Sequence, residues 1–458
     1  MKQLRDKSAI VARWLALALL LPPLVLGTPA APGAVRQVQP VRAADSLELP
    51  RVRSAPPEHP ATATWQALPD GGLNGIVYAL AAAGNDLYVG GFFTATADGT
   101  VKDLNGIALL SGSDGQWHAL PNRGLNGGVT ALAVIGSDVY AGGVFTATVQ
   151  DPLSHPLSYI ARLTGGASGA WHPLADDGLN WDVRALAAHG SDLYVGGFFD
   201  QSASGAVKDL NAVARYGNDG MWHALPNKGL FNFFVLHCCF VDAFAFTGNN
   251  LVVGGIFTST DDFAVQNMGG LAMLSNGSTW SALPNQGLGL DMPFAHYVRS
   301  LAYAGSDLYA AGTFTRTTDH TVPNLNGVAR LSGSDNMWHA LPNNGFLNGN
   351  FGAAYALAPR GSDLYVGGSF TQTANGLGPN VNGITALSGG AWQTLPNGGI
   401  RSDFGIGVQA TAFVSDTLYV AGFFTETAGG AVKNLGNIAA LGVPPLVSYP
   451  LYLPLVTR

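Results

Sequence analysis

Side chains that could hold a ligand are concentrated in four long segments of the chain, residues 226–240, 284–297, 342–353 and 396–407. These segments, and a shorter one near residue 181, mix aromatic rings with amides, carboxylates and cations. The candidate ligand-binding residues are Trp181, Asp182, Phe231, Phe234, His237, Asp291, His296, Tyr297, Asn350, Phe351, Arg401 and Asp403. Such a mixture suits stacking on sugar rings with hydrogen bonding, and it suits a protein surface equally well. We expect a binding face here; the alternative is that these segments only fill a central opening.

Catalytic and metal chemistry find less support in the sequence. The adjacent Cys238 and Cys239 are the only cysteines, and they indicate either two buried thiols or a vicinal disulfide. A copper site built from His237, His296 and Tyr297 can be imagined, but no ligand spacing supports it. The sequence has no Walker loop, Gly-x-Ser-x-Gly elbow or His-Glu-x-x-His motif. We therefore expect no catalytic residue, no metal and no cofactor.

The elements that must position these residues are repeated. Seven tryptophans recur at intervals of 51 to 58 residues, which indicates a propeller or a solenoid. They are Trp65, Trp117, Trp171, Trp222, Trp280, Trp338 and Trp392.

Each repeat contains four short β-like runs. In the first repeat these are a Trp run (Trp65–Leu68), a Val run (Val77–Ala81), a Gly-Gly run (Asp86–Phe93) and an Ile run centred on Ile107. Because every run occurs seven times, the sequence predicts an all-β, seven-bladed β-propeller of four-stranded blades. The chain opens with a lone Trp run and ends with an Ile run, so the N-terminal strand should complete the last blade as its outermost strand.

The pattern Leu-Tyr-Val-Gly-Gly, a short apolar strand and then Trp-x-x-Leu-Pro resembles the kelch and galactose-oxidase-type propeller repeat. The resemblance covers residues 65–441 and implies the propeller fold. This sequence departs from that family by a longer segment after Gly-Gly and by lacking the usual Asp-Pro turn.

Residues repeated in every blade are predicted to serve the scaffold. Gly91 and its equivalents should permit close backbone approach or a bulge, which gives room where blades converge near the axis, and Phe93 and its equivalents should pack between blades. Asp86 and its equivalents fit hairpin turns, and His118 and its equivalents fit half-exposed strand positions. The long segments connect each Trp run to the next Val run, and blade geometry places these connections on one face.

Composition and the chain ends bear on partners and location. Charged residues make up 11% of the chain and the net charge is −7, without a basic cluster in the mature region, which argues against nucleic acid or anionic membrane as partners. A basic start, an apolar run and small residues predict a signal peptide over residues 1–31. Residues 32–64 should form a flexible Pro-rich leader, and residues 442–458 a Pro-rich tail used for sorting, surface retention or docking on the propeller.

These observations together predict an exported, monomeric, extracellular propeller with no membrane span in the mature chain. Its expected function is non-catalytic binding of a glycan or protein through the long loops of one face. The alternatives are a carbohydrate-active or copper-dependent propeller enzyme and a structural cell-surface component. An aspartate pair at the mouth of the central channel, or a bound metal, would favour the enzyme.

Overall fold

The structure is a computed structural model, and it describes residues 63–151, 156–232, 239–290, 297–347, 353–401 and 405–442. The predicted signal peptide and nearly all of the predicted leader and tail lie outside these ranges. Within them, no helix is long and apolar enough to cross a membrane.

Seven four-stranded antiparallel sheets form the fold, which confirms the predicted propeller. The Val runs form the innermost strands: Ile76–Ala83, Val129–Ile135, Val183–His189, Phe240–Thr247, Tyr297–Ala304, Ala354–Arg360 and Gly407–Val414. The Gly-Gly runs form the second strands: Asp86–Phe92, Asp138–Gly143, Asp192–Gly197, Asn250–Ile256, Asp307–Thr313, Asp363–Gly368 and Thr417–Phe423.

The Ile and Trp runs complete each blade. The third strands are Ile107–Leu110, Ile160–Thr164, Val213–Tyr216, Leu271–Ser275, Val328–Leu331, Ile384–Ser388 and Ile438–Gly442. The outermost strands are Trp117–Ala119, Ala170–Pro173, Trp222–Ala224, Thr279–Ala282, Trp338–Ala340, Ala391–Gln393 and, in the seventh blade, Trp65–Ala67.

Short elements join the blades. Each outermost strand is followed by a single 3₁₀ turn, which begins at Pro in every repeat but one because Pro cannot donate to the ladder. With one further turn in a hairpin, the 3₁₀ turns are Pro69–Gly71, Pro121–Arg123, Gly166–Ser168, Ala175–Asp177, Pro226–Lys228, Pro284–Gln286, Pro342–Asn344 and Pro396–Gly398. Three two-residue ladders pair Leu230–Phe231 with Ser259–Thr260, Leu288–Gly289 with Arg316–Thr317, and Phe346–Leu347 with Gln372–Thr373.

The ring closes as predicted. Trp65–Ala67 pairs with Ile438–Gly442, with Trp65 opposite Leu441, so strands from both ends of the chain share one sheet. Innermost strands of neighbouring blades contact each other all the way round, including the first against the seventh. Every innermost strand is therefore packed against the innermost strands of both neighbouring blades.

Each tryptophan also ties its repeat to the preceding one. The Trp117 indole N–H donates to the Pro69 carbonyl at 3.1 Å, and the same bond recurs in all seven repeats. At the closure, Trp65 donates to the Pro396 carbonyl at 2.9 Å. All seven tryptophan residues are buried, so these bonds lie in an apolar setting.

The core is divided into seven clusters, each shared by two neighbouring sheets. One cluster joins Val77, Val89 and Trp117 of the first blade to Ala421 and Ile438 of the seventh. The phenylalanine that follows each Gly-Gly run is at most 3% exposed in every blade, in keeping with the predicted packing role.

The two glycines of the first Gly-Gly run, Gly90 and Gly91, have different structural roles. A Cβ on Gly90 would meet Val129 Cγ1 of the next blade at 2.7 Å, whereas a Cβ on Gly91 would lie 2.2 Å from the Ile76 carbonyl oxygen of its own blade. The close backbone approach and the bulge expected at Gly91 are confirmed, but the room where blades converge is given by the first glycine, Gly90. The second glycine allows close approach to the innermost strand, where the ladder is irregular.

That irregularity is a β-bulge present in all seven innermost strands. In the first blade Val77 pairs with Gly91 and Ala79 with Gly90, which leaves Tyr78 without a partner in the ladder. The bulge lies where the innermost strand begins, at the same end of the blade as the connections between second and third strands. We call this the loop end.

Candidate functional site

The bulges place one side chain per blade in the wall of a central cavity of about 230 Å³. A bulge redirects a side chain and frees it from ladder pairing. The seven residues are Tyr78, Thr130, Arg184, Asp242, Arg299, Tyr355 and Gln409. Small and aliphatic residues of the same strands line the rest of the cavity, so its polarity comes mainly from the bulge positions.

Arg184 is held by side chains from three blades. Its Nε donates to Asp182 Oδ2 at 2.8 Å, its Nη1 donates to the Tyr297 hydroxyl at 3.3 Å, and Nη1 lies 3.8 Å from Asp242 Oδ1. Its guanidinium carbon also lies 4.0 Å from the centre of the Phe240 ring. The guanidinium is thereby fixed in one orientation.

Arg299 is oriented by aromatic rings. Its guanidinium carbon lies 5.0 Å from the ring centres of both Tyr297 and Tyr355. Among the residues that the structure describes, none accepts a hydrogen bond from the N–H donors of Arg299. We refer to Asp182, Arg184, Asp242, Tyr297 and Arg299 as the channel cluster.

Burial shifts the pKa values of this cluster. The Asp242 side chain is 9% exposed, and burial raises the pKa of its carboxyl against the opposing charges of Arg184 and Arg299. Burial likewise raises the pKa of Tyr297, with the nearby Asp242 adding to the effect. Burial acts to lower the pKa of Arg184, but Tyr297, Asp182 and Asp242 outweigh it, and Arg184 stays charged.

The structure brings three of the predicted site residues to the channel cluster. Asp182 and Tyr297 bond to Arg184, as described above. Trp181 packs edge-on against Phe198 with ring centres 6.0 Å apart, and Phe198 in turn lies 5.0 Å from Phe240. The aromatic contacts therefore continue from Trp181 to the ring beneath Arg184.

The other predicted residues fall elsewhere. Phe231 packs against Phe263 at 5.3 Å, and Arg401 pairs with Glu426 at 2.5 Å; neither belongs to the channel cluster. The remaining predicted residues lie outside the described ranges: Phe234, His237, Cys238, Asp291, His296, Asn350, Phe351 and Asp403. Whether Cys238 and Cys239 form a vicinal disulfide or two buried thiols stays open, because Cys238 lies outside the described residues.

Sequence reasoning missed the bulge residues because it treated the Val runs as scaffold and searched only the loops. The sequence did contain a signal for the bulge residues. The second position of the Val run is occupied in turn by Tyr, Thr, Arg, Asp, Arg, Tyr and Gln, while the position before it is Val in six of seven repeats. Variation in chemical type at one fixed position of a strict repeat would have identified the channel wall.

The repeated aspartates hold hairpins, as predicted, and the repeated histidines lie on outermost strands next to the hairpins. Asp86 Oδ1 accepts the backbone N–H of Gly112 at 2.8 Å, and His118 Nε2 lies 2.9 Å from Asp114 Oδ2. In the part of the chain that the structure describes, no three His, Cys, Asp or Glu side chains are grouped as metal ligands would be.

Comparison with known proteins gives partial relatives, and no family model matches the chain. A stretch of 166 residues, 35% of this chain, is 31% identical to polarized growth protein L1 of Phoma sp.. A stretch of 66 residues, 14% of this chain, is 42% identical to polarized growth protein rax2 of Schizosaccharomyces pombe. The matched stretches span only 12% and 6% of those two proteins.

Solved structures similar to this chain are propellers of low sequence identity. They include virginiamycin B lyase from Staphylococcus aureus (12% identity, TM-score 0.47, 83% of this chain and 99% of that one). Another is YCF48 bound to a D1 peptide (13% identity, TM-score 0.46, 86% and 100%). A third is the GH74 enzyme of Niastella koreensis (16% identity, TM-score 0.44, 79% and 53%). The kelch or galactose-oxidase type of the repeat stays a prediction.

Proposed function

We propose that this protein is an exported binding protein that recognises a glycan or a protein at the loop end of its central channel. The observation that carries the proposal is the set of seven bulge residues, in which a strict structural repeat places charged, aromatic and polar side chains in the wall of one cavity. A scaffold alone would not need such variety at positions that make no ladder pairs.

The candidate loops support the same location. Residues 226–240, 284–297, 342–353 and 396–407 run directly into the innermost strands of four consecutive blades, whose bulges lie at the loop end. Loops on a rigid scaffold commonly carry binding residues. The two partial relatives are named for polarized growth, and recognition of a glycan or protein outside the cell is compatible with such a role.

A glycan and cell-wall-polysaccharide array tests the proposal. The probe is the purified protein, compared with a variant carrying Trp181→Ala, Tyr297→Ala and Phe351→Ala. The matched control carries Met221→Ala and Met337→Ala, two exposed residues in hairpins at the opposite end of their blades. We expect hits that the triple variant loses and the control keeps, with circular dichroism showing both folded. Hits that survive the triple substitution would contradict the proposed location.

A carbohydrate-active enzyme is the second candidate, and one observation favours it. Asp182 and Asp242 both approach Arg184, and burial raises the pKa of the Asp242 carboxyl, as a general acid would require. Incubating any bound glycan with the protein and analysing the products would decide. Cleavage that Asp242→Asn abolishes would establish the enzyme, and an intact glycan would leave binding alone.

A further inference from the structure

Four of the seven bulge residues are satisfied within the protein. Thr130 donates to the Val183 carbonyl at 2.6 Å, and Gln409 donates to the Ile406 carbonyl at 2.6 Å. The Tyr355 hydroxyl bonds to the Ser369 hydroxyl at 3.2 Å. Arg184 is held by the channel cluster. These four groups need no ligand to complete their hydrogen bonds.

Three bulge residues keep polar atoms without such partners. The Tyr78 hydroxyl, Asp242 Oδ2 and the Arg299 guanidinium make no hydrogen bond to any residue in the described ranges. Asp242 Oδ2 is also shielded from solvent, and an unpaired polar group in such a place is costly. The three residues face one cavity and offer a hydroxyl, an acceptor and a fork of donors.

The cluster contains two arginines and two aspartates, but both aspartates lie nearest to Arg184. Asp182 bonds directly to Arg184, whereas Arg299 has no carboxylate within 4.0 Å among the residues the structure describes. A planar guanidinium with free donors fits a carboxylate with two parallel hydrogen bonds. Arg299 can therefore bind one anionic group, and the other free groups of the cavity can bind neutral hydrogen-bonding groups.

We propose that the channel binds one acidic sugar residue, a uronic acid, with its carboxylate on Arg299 and its hydroxyls towards Asp242 and Tyr78. This inference rests on the proposed binding function and specifies its ligand. A uronic acid carries on one small ring both the anion that Arg299 can take and the hydroxyl donors that Asp242 can accept.

Cavity size and shape favour a sugar over an acidic peptide. A volume of about 230 Å³ lies below the roughly 300 Å³ at which pockets for drug-sized ligands begin, so it suits a single ring. The Asp242 carboxyl would repel a second acidic group of a peptide, but it accepts a hydroxyl. The Tyr78 and Tyr355 rings in the wall add aromatic surface.

Calorimetric titration of the whole protein with methyl glucuronide and methyl glucoside tests the inference, because the two probes differ only in the carboxylate. The variant is Arg299→Gln, and the matched control is Arg215→Gln, whose arginine lies on a third strand and pairs with Asp192 of the neighbouring second strand at 2.7 Å. We expect the glucuronide to bind more tightly than the glucoside, and Arg299→Gln to weaken it about ten- to a hundredfold. The control should match the wild type, and added salt should weaken binding.

A second variant, Tyr78→Phe, tests the same site in case Arg299→Gln fails to fold. Tyr78→Phe removes one hydroxyl and leaves the charges in place, and it should weaken glucuronide binding several-fold. Equal binding of both sugars, or no effect of either variant, would overturn the acidic-sugar inference while leaving the proposed function standing. Binding of an acidic peptide in place of the glucuronide would overturn the sugar class. A blank array would overturn the proposed function itself.

Discussion

The bulge that aims Asp242 into the channel depends on a glycine in the neighbouring strand, and two adjacent substitutions test this. A Cβ at position 255 would lie 2.0 Å from the Phe240 carbonyl oxygen and 3.0 Å from Val241 Cα, both backbone atoms beside the bulge. A Cβ at position 254 would meet Val298 Cγ1 at 2.7 Å, which is the end of a side chain. Gly255→Ala should therefore disturb the bulge, and Gly254→Ala should not.

The magnitudes follow from the atoms that must move. Relieving the backbone collision at Gly255 should cost about 3 kcal/mol, the upper range for overpacking. Replacing glycine lowers the entropy of the unfolded chain, which returns about 0.4–1 kcal/mol to either variant. Gly255→Ala should then lose about 2 kcal/mol net. Gly254→Ala should stay within about 1 kcal/mol, because Ala311 and Ala421 already occupy this position in two other blades.

Urea unfolding followed by tryptophan fluorescence measures both variants, since every blade contains one buried tryptophan. We expect a lower midpoint for Gly255→Ala with an unchanged slope, which reports stability rather than a change of the unfolded state. Ligand binding should fall in the same variant because Asp242 and Phe240 flank the displaced backbone. Equal midpoints for the two variants would refute the reasoning that the second glycine exists to accommodate the bulge.

Three further predictions concern ring closure, protonation and the tail. Trp65→Phe removes the indole donor that closes the ring, so it should cost about 1–3 kcal/mol and open the N-terminal strand to protease; Trp222→Phe should cost a similar amount and leave that strand protected. Because the folded pKa of Asp242 is raised, the folded chain binds more protons than the unfolded chain between the ordinary and raised values, and stability should fall as pH rises through that window. Asp242→Asn should flatten this part of a Tm-against-pH curve, and an unchanged curve would assign the dependence to another group. Deleting residues 446–458 should shift protein from the cell fraction to the medium if the tail retains it, and an unchanged distribution would exclude retention.

The fold could be predicted from the sequence because the same four runs recur in every blade. Seven copies of the Trp run and the Gly-Gly run fix the number of blades, and the unmatched Trp65 and Ile438 runs fix the closure. The connections at the loop end followed from the same order of strands. None of these inferences required knowing where a single side chain points.

The candidate site was harder to predict because a bulge breaks the period-two rule that assigns side chains to faces. In a regular strand Tyr78 and Leu80 would share a face, and nothing in one repeat shows that Tyr78 leaves the ladder while Leu80 stays in it. Asp182 and Tyr297 were selected for their loop position, and the structure places them beside Arg184, which was not selected. The loop residues that were selected thus include two that contact Arg184, and the bulge residues on the strands were missed.

The pairing of the strands explains why the residue type at the bulge position can differ between blades. Backbone pairing on either side of each bulge is kept by Val77 and Ala79 and their equivalents, and the closely approaching glycine is present in all seven blades. The bulge residue pairs with nothing in the ladder, so a change of its type costs the sheet little. One position in each blade is therefore free to be charged, aromatic or polar without loss of the ring. Substitutions at Tyr78 should therefore change stability little, whereas substitutions at Arg184 or Thr130 should cost the hydrogen bonds that these side chains make to other blades.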